Sequence, residues 1–164
     1  MLKKFNWVHI SLILALPIIL VIINPNWIFN LSKMPGIHTM VDDYIYTGYQ
    51  LAYPKYIGWF PADTHYFIDR INWILPVYGL HQIFSPTITH LIVHFTLYYS
   101  VMFTFYTLVH KLTQNRRIAL VIVILFGQYP LIMRSLGWNY PDGYALLWFA
   151  LTLLFLTYAA NSRY

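Results

Sequence analysis

Between Lys4 and Lys33 the chain carries no Asp, Glu, Lys or Arg. A bilayer core is crossed by roughly 20 apolar residues, and the run 7–29 supplies them. Comparable apolar runs follow at 86–110, 118–136 and 143–160. Backbone groups in lipid must be satisfied within their own segment, so such runs are helices. The run at 7–29 follows Met1-Leu2-Lys3-Lys4, a start that resembles a signal peptide. It is too long for the apolar part of one, and no small-residue cleavage site closes it, so a retained span is expected. The expected fold is an all-α integral membrane domain over 1–164, with four transmembrane helices and interfacial helices in a long first outer loop.

Composition decides two further points. Only 9% of residues are charged, against about 25% in soluble domains. The net charge is +5, but the basic residues stand in short clusters between apolar runs, as topology determinants do, and no nucleic-acid partner is expected. Cysteine is absent, which excludes a disulfide framework and a thiolate metal site.

The loop 30–85 holds Asp42, Asp43, Asp63 and Asp69, four of the five acids in the chain. It is also dense in Tyr and Trp, which suits helices lying in the interface plane. Pro54, Pro61 and Pro76 divide it into short pieces, and Asp42 is placed to cap the helix after it. The segment 71–84 is apolar but short, with Pro76 and Gly79 inside, and is expected to be re-entrant or interfacial. Ser85-Pro86 has the form of an N-cap and first helical residue opening the second span. Gly127 and Pro130 weaken the end of the third span, and Gly137 to Gly143 has the composition of a tight turn.

Basic residues set the orientation. With the N-terminus in the cytoplasm, Lys3, Lys4, Lys111, Arg116, Arg117 and Arg163 lie inside, packed close to the spans. Lys33, Lys55, Arg70 and Arg134 then lie outside with all five aspartates. The plasma (inner) membrane is expected, with both termini cytoplasmic and membrane lipids as constant partners.

Asp42-Asp43 is the pair that most needs a reason, because adjacent carboxylates at a membrane mouth repel and lose hydration. The plain reading is a helix cap and its solvated neighbour. The chemical reading is a general base or a hard oxygen ligand for Mg²⁺ or Mn²⁺. Asp142, between Pro141 and Gly143, is either a turn residue or a second acid on the same outer face. Arg70, Lys55 and Arg134 suit a phosphate, whether of bulk lipid or of a substrate. His90 and His94 stand at i, i+4, a spacing able to hold a metal, but the helix offers no third ligand; packing or an interhelical hydrogen bond is favoured. Asp63-Thr64-His65 is too common a triplet to carry a role. No Asp, Glu, Lys or Arg lies at mid-depth in the four spans, which argues against a transporter or channel.

A first span, an outer loop opening with Asp42-Asp43-Tyr44, an arginine (Arg70) shortly before Leu75-Pro76, and Tyr140-Pro141-Asp142-Gly143-Tyr144 in the second outer loop resemble the GT-C superfamily of membrane glycosyltransferases. That group includes protein mannosyltransferases, lipid A aminoarabinose transferases and oligosaccharyltransferase catalytic subunits. The resemblance implies transfer of a sugar from a polyprenyl-phosphate donor at the extracytoplasmic face. It implies Asp42, Asp43 and Asp142 as catalytic acids, Asp43 and Asp142 as ligands of Mg²⁺ or Mn²⁺, and Arg70, Lys55 and Arg134 as substrate contacts. Such enzymes have many more spans, so the chain is expected to correspond to their N-terminal part, completed by a C-terminal part or other membrane subunits. The alternative is a non-catalytic accessory subunit of a larger membrane complex.

Overall fold

The computed structural model describes residues 7–24, 41–56, 70–139 and 141–161, with 41–44, 56 and 161 described by their backbone alone. Every regular element among the described residues is an α-helix: α1 (Trp7–Ile23), α2 (Val41–Tyr56), α3 (Ile71–His81), α4 (Pro86–Thr113), α5 (Arg116–Gln128), α6 (Pro130–Gly137) and α7 (Asp142–Asn161).

α4 is the central post. Ser85 is its N-cap in an extended conformation and Pro86 is its first residue. There the missing N–H of proline costs nothing and its fixed φ suits a helix. The helix ends on Gln114 in the left-handed region, φ 53°, whose N–H bonds back to the His110 carbonyl. Its 28 residues reach roughly 42 Å. Buried positions such as Thr89, Val93, Tyr98, Met102 and Val109 lie around more than one face, because neighbours pack on several sides.

α1 runs antiparallel to α4. Near its start, His9 Nδ1 lies 2.9 Å from the Tyr106 hydroxyl; further along, the Tyr99 hydroxyl donates to the Leu14 carbonyl at 3.0 Å. His9, Ile13 and Pro17 are buried on one stripe at four-residue spacing, while Ile18, Ile19, Ile22 and Ile23 face outward. Pro17 thus lies on the packed side. α7 runs parallel to α4: its start lies near His94 through Trp73 and Tyr144, and its far end brings Tyr158 under Lys111, with Nζ 5.1 Å from the ring centroid.

α5 packs on α4 through stacked Phe105 and Phe126 rings, centroids 4.2 Å apart. It starts on Asn115, whose Oδ1 accepts from the N–H groups of Arg117 and Ile118. Gly127 fits beneath Tyr98 and Met102; a Cβ there would come within 2.8 Å of the Met102 sulfur and nearer still to the Tyr98 hydroxyl. Directly afterwards the chain turns by 69° into α6. Tyr129 is extended, φ −64° and ψ 127°, as the residue before a proline prefers, and Pro130 opens α6 as its first residue. The expected third span at 118–136 is therefore two helices at an angle.

Two helices, Pro86–Thr113 and Asp142–Ala160, are long and apolar enough to cross a membrane, and the bent α5–α6 pair makes a third if it counts as one span. α1 is apolar but 17 residues long in its described part; the remainder of the expected first span, 25–29, lies outside the described residues. The chain is a helical, membrane-embedded protein.

The two described parts of the 30–85 loop lie beside the end of the bundle where α7 begins. α2 is described from Val41, so Asp42 and Asp43 lie within helix and not at a capping position before it. Ala52 breaks the helix with φ −140° and ψ 40°, two residues before Pro54. α3 is continuous through Pro76 and buries Trp73, Ile74 and Val77.

Candidate functional site

An open cleft of about 390 Å³ lies where the start of α3 meets the start of α7. Arg70, Asn72 and Trp73 form one wall, and Pro141, Asp142, Tyr144, Ala145 and Trp148 the other. Residues 141, 144, 145 and 148 fall on one face of a helix. The α7 wall is therefore a stripe that starts with Asp142 and descends to Trp148, roughly 9 Å along the helix axis. The cleft is charged at its mouth and aromatic below.

Each wall is fixed by buried contacts. Arg70 donates through Nη1 to the Tyr46 hydroxyl and carries its guanidinium 5.7 Å from the centre of the Tyr46 ring. Tyr46 itself is fully buried, so α2 provides a rigid seat for this cation. On the other side, Asn139 Nδ2 donates to Thr47 Oγ1 at 2.7 Å and to Gln50 Oε1 at 2.9 Å. Thr47, Gln50 and Asn139 are all buried. One face of α2 thus holds Arg70 through Tyr46 and the segment before Asp142 through Asn139.

The floor is a run of rings: Trp73 to Tyr144 at 6.3 Å and Tyr144 to Trp148 at 5.9 Å, edge to face. Behind Trp73 stands His94, 6.4 Å away. The His94 Nδ1–H donates to the Leu136 carbonyl at 2.8 Å, which leaves Nε2 as the lone-pair nitrogen. That bond ties α4 to the end of α6. Gly143 completes the joint: a Cβ there would stand 2.5 Å from the Ser135 carbonyl oxygen and 3.4 Å from Leu136 Cα. Its φ is not positive, so the glycine serves close backbone approach alone.

Of the residues expected from sequence, Arg70 and Asp142 meet on this cleft. Lys55 and Arg134 do not line it. Lys55 is exposed in the last turn of α2. Arg134 lies over Trp138, 4.1 Å from the ring centroid, a pairing that sequence did not suggest. The Asp42 and Asp43 side chains lie outside the described residues, as does Asp63-Thr64-His65. Position 43 precedes Thr47 by four residues and Gln50 by seven, the spacing of one helix face. Position 42 stands in the same relation to the buried Tyr46 and Tyr49.

Asp142 is the one described carboxylate side chain of the cleft. Mg²⁺ keeps several waters and is held by one or two carboxylates together with substrate phosphate. No group of three His, Cys, Asp or Glu among the described residues is arranged to hold a metal. His90 and His94 stack at 5.8 Å, and α3 brings His81 to 5.5 Å from His90. The favoured interhelical hydrogen bond is the one made by His94.

Sequence reading missed Tyr46, Asn139 and the Trp73–Tyr144–Trp148 floor. The spacing of 144 and 148 on one helix face was the available signal. No protein-family model, curated protein or solved structure matches the chain.

Proposed function

We propose that the chain is a membrane glycosyltransferase of GT-C type, or the N-terminal segment of one. It would transfer a sugar from a polyprenyl-phosphate donor at the extracytoplasmic face of the inner membrane. The finer topology belongs to the same proposal: four spans, with the N-terminus, Arg116 and Arg117 inside, and α2, α3 and the cleft outside. The observation that carries the reading is the cleft itself. It sets a seated guanidinium and a carboxylate at the mouth of an aromatic slot that descends along an apolar helix. An amphiphile with an anionic head and an apolar tail has that polarity.

In the proposed reaction Arg70 pairs with the donor phosphate. The bond from the anomeric carbon to the phosphate oxygen breaks, and the phosphate leaves as an anion. Positive charge on its oxygens favours this more than a proton donor would. The acceptor hydroxyl attacks the anomeric carbon, and its proton passes to a carboxylate, Asp42, Asp43 or Asp142. Trp73 and Trp148 exclude water from the contact, which strengthens it.

The test starts with binding. Undecaprenyl phosphate titrated into the detergent-solubilised protein should quench tryptophan fluorescence saturably, since Trp73 and Trp148 line the cleft. Arg70→Ala should weaken that binding about 10- to 100-fold, the usual worth of a charge-assisted contact. Asp142→Asn should leave binding intact and abolish sugar transfer in membranes. Absence of saturable quenching, or an Arg70→Ala variant that binds as well as the parent, defeats the proposal.

A further inference from the structure

The opposite end of the bundle has a different chemistry. The start of α1, the end of α4, the start of α5 and the end of α7 converge there, as the His9–Tyr106 and Lys111–Tyr158 contacts establish. Lys111, Arg116 and Arg117 stand within seven positions of each other. No acidic side chain among the described residues lies at this end; Asp142 is at the other.

The three cations are held at fixed spacing. Gln114, with φ 53°, reverses the chain, and its side-chain amide donates to the Lys111 carbonyl at 2.7 Å. Asn115 Oδ1 then clamps the Arg117 and Ile118 N–H groups at 3.0 and 3.2 Å. Lys111 sits near the C-terminus of its helix, where a cation is favoured. Arg116 and Arg117 open theirs, where like-signed charge is disfavoured. The chain thus concentrates positive charge at a membrane edge against local helix electrostatics. Exposed Leu112 and Trp7 flank it as apolar surface.

We infer that this end is a binding surface for anionic phospholipid, with Lys111, Arg116 and Arg117 contacting the phosphodiester headgroup beside Tyr158 and the adjoining apolar residues receiving its acyl chains. The inference is independent of the sugar-transfer chemistry and uses none of the cleft's residues.

The protein reconstituted in mixed nanodiscs of equal phosphatidylglycerol and phosphatidylcholine, then released for native mass spectrometry, reports which lipid it retains. The parent should retain phosphatidylglycerol in preference. Each basic residue at such a surface is worth about fivefold, so Arg116→Gln/Arg117→Gln should cut the preference by about 25-fold. Arg116→Lys/Arg117→Lys, which keeps the charge, should retain most of it and guards against a folding defect in the glutamine variant. The inference is overturned by equal retention of the two lipids in the parent. A glutamine variant with undiminished preference, or a preference abolished by millimolar inorganic phosphate, overturns it too; the last would mark a site for free phosphate.

Discussion

Gly143→Ala isolates the joint on which the cleft depends. The added Cβ would lie 2.5 Å from the backbone oxygen of Ser135, where ordinary carbon contacts are about 3.5 Å. A backbone carbonyl in α6 cannot swing aside as a side-chain end can, so the start of α7 must retreat by close to 1 Å. Overpacking of this kind costs about 1–3 kcal/mol. The better helix preference of alanine returns up to about 1 kcal/mol, and less in a first turn. The net expectation is about 1–2 kcal/mol of destabilisation, or a fall of roughly 2–8 °C in melting temperature for a chain of this size. The same retreat moves Asp142 away from Arg70, and about 1 Å of misplacement can cost on the order of 100-fold in rate. Thermal unfolding in detergent and sugar transfer in membranes read the two effects separately. Gly127→Ala is the control: its obstacles are the ends of Tyr98 and Met102, which can yield, so it should melt closer to the parent. A Gly143→Ala protein as stable as the parent, or more stable than Gly127→Ala, would refute the close-approach argument.

Three more outcomes are expected. Asn139→Leu removes two buried hydrogen bonds between the α6–α7 connection and α2 and should destabilise by about 2–3 kcal/mol, with Arg70-dependent binding weakened in parallel. Asn115→Ala removes the cap of α5 and should cost about 1 kcal/mol, seen as a lower melting temperature with donor binding unchanged. Burial lowers the pKa of His81 below its ordinary value of about 6.5, so the unfolded chain takes up the proton first as pH falls. Stability should therefore be level above about pH 7 and decline below about 6.5, and His81→Gln should reduce that slope in melts run from pH 7.5 down to 5.

Much of the architecture was legible because it is local. Ser85-Pro86 announced the start of α4, and the last span was expected at 143–160 where α7 runs Asp142–Asn161. The aromatic loop yielded helices α2 and α3 as its composition indicated. Arg70 and Asp142, singled out by their chemistry and by the GT-C resemblance, line one cleft. What sequence could not convey was pairing at long range. Tyr46 looked like one tyrosine among many, and only the approach of α3 makes it the seat of Arg70. Asn139 read as a turn residue, yet its amide joins elements 89 and 92 positions apart. Pro130 was noted as a weak point, but no local rule sets its bend at 69°.

That bend has a consequence for the surrounding lipid. Taken as a span, the 13 residues of α5 rise roughly 20 Å. The eight of α6, turned away by 69°, add only about 4 Å of height. The sum falls short of the roughly 30 Å of a hydrocarbon core. Acyl chains beside α5 must shorten to meet this hydrophobic mismatch, leaving a dimple in the leaflet on that flank. A headgroup drifting into the dimple travels less far to reach protein than one anywhere else around the bundle.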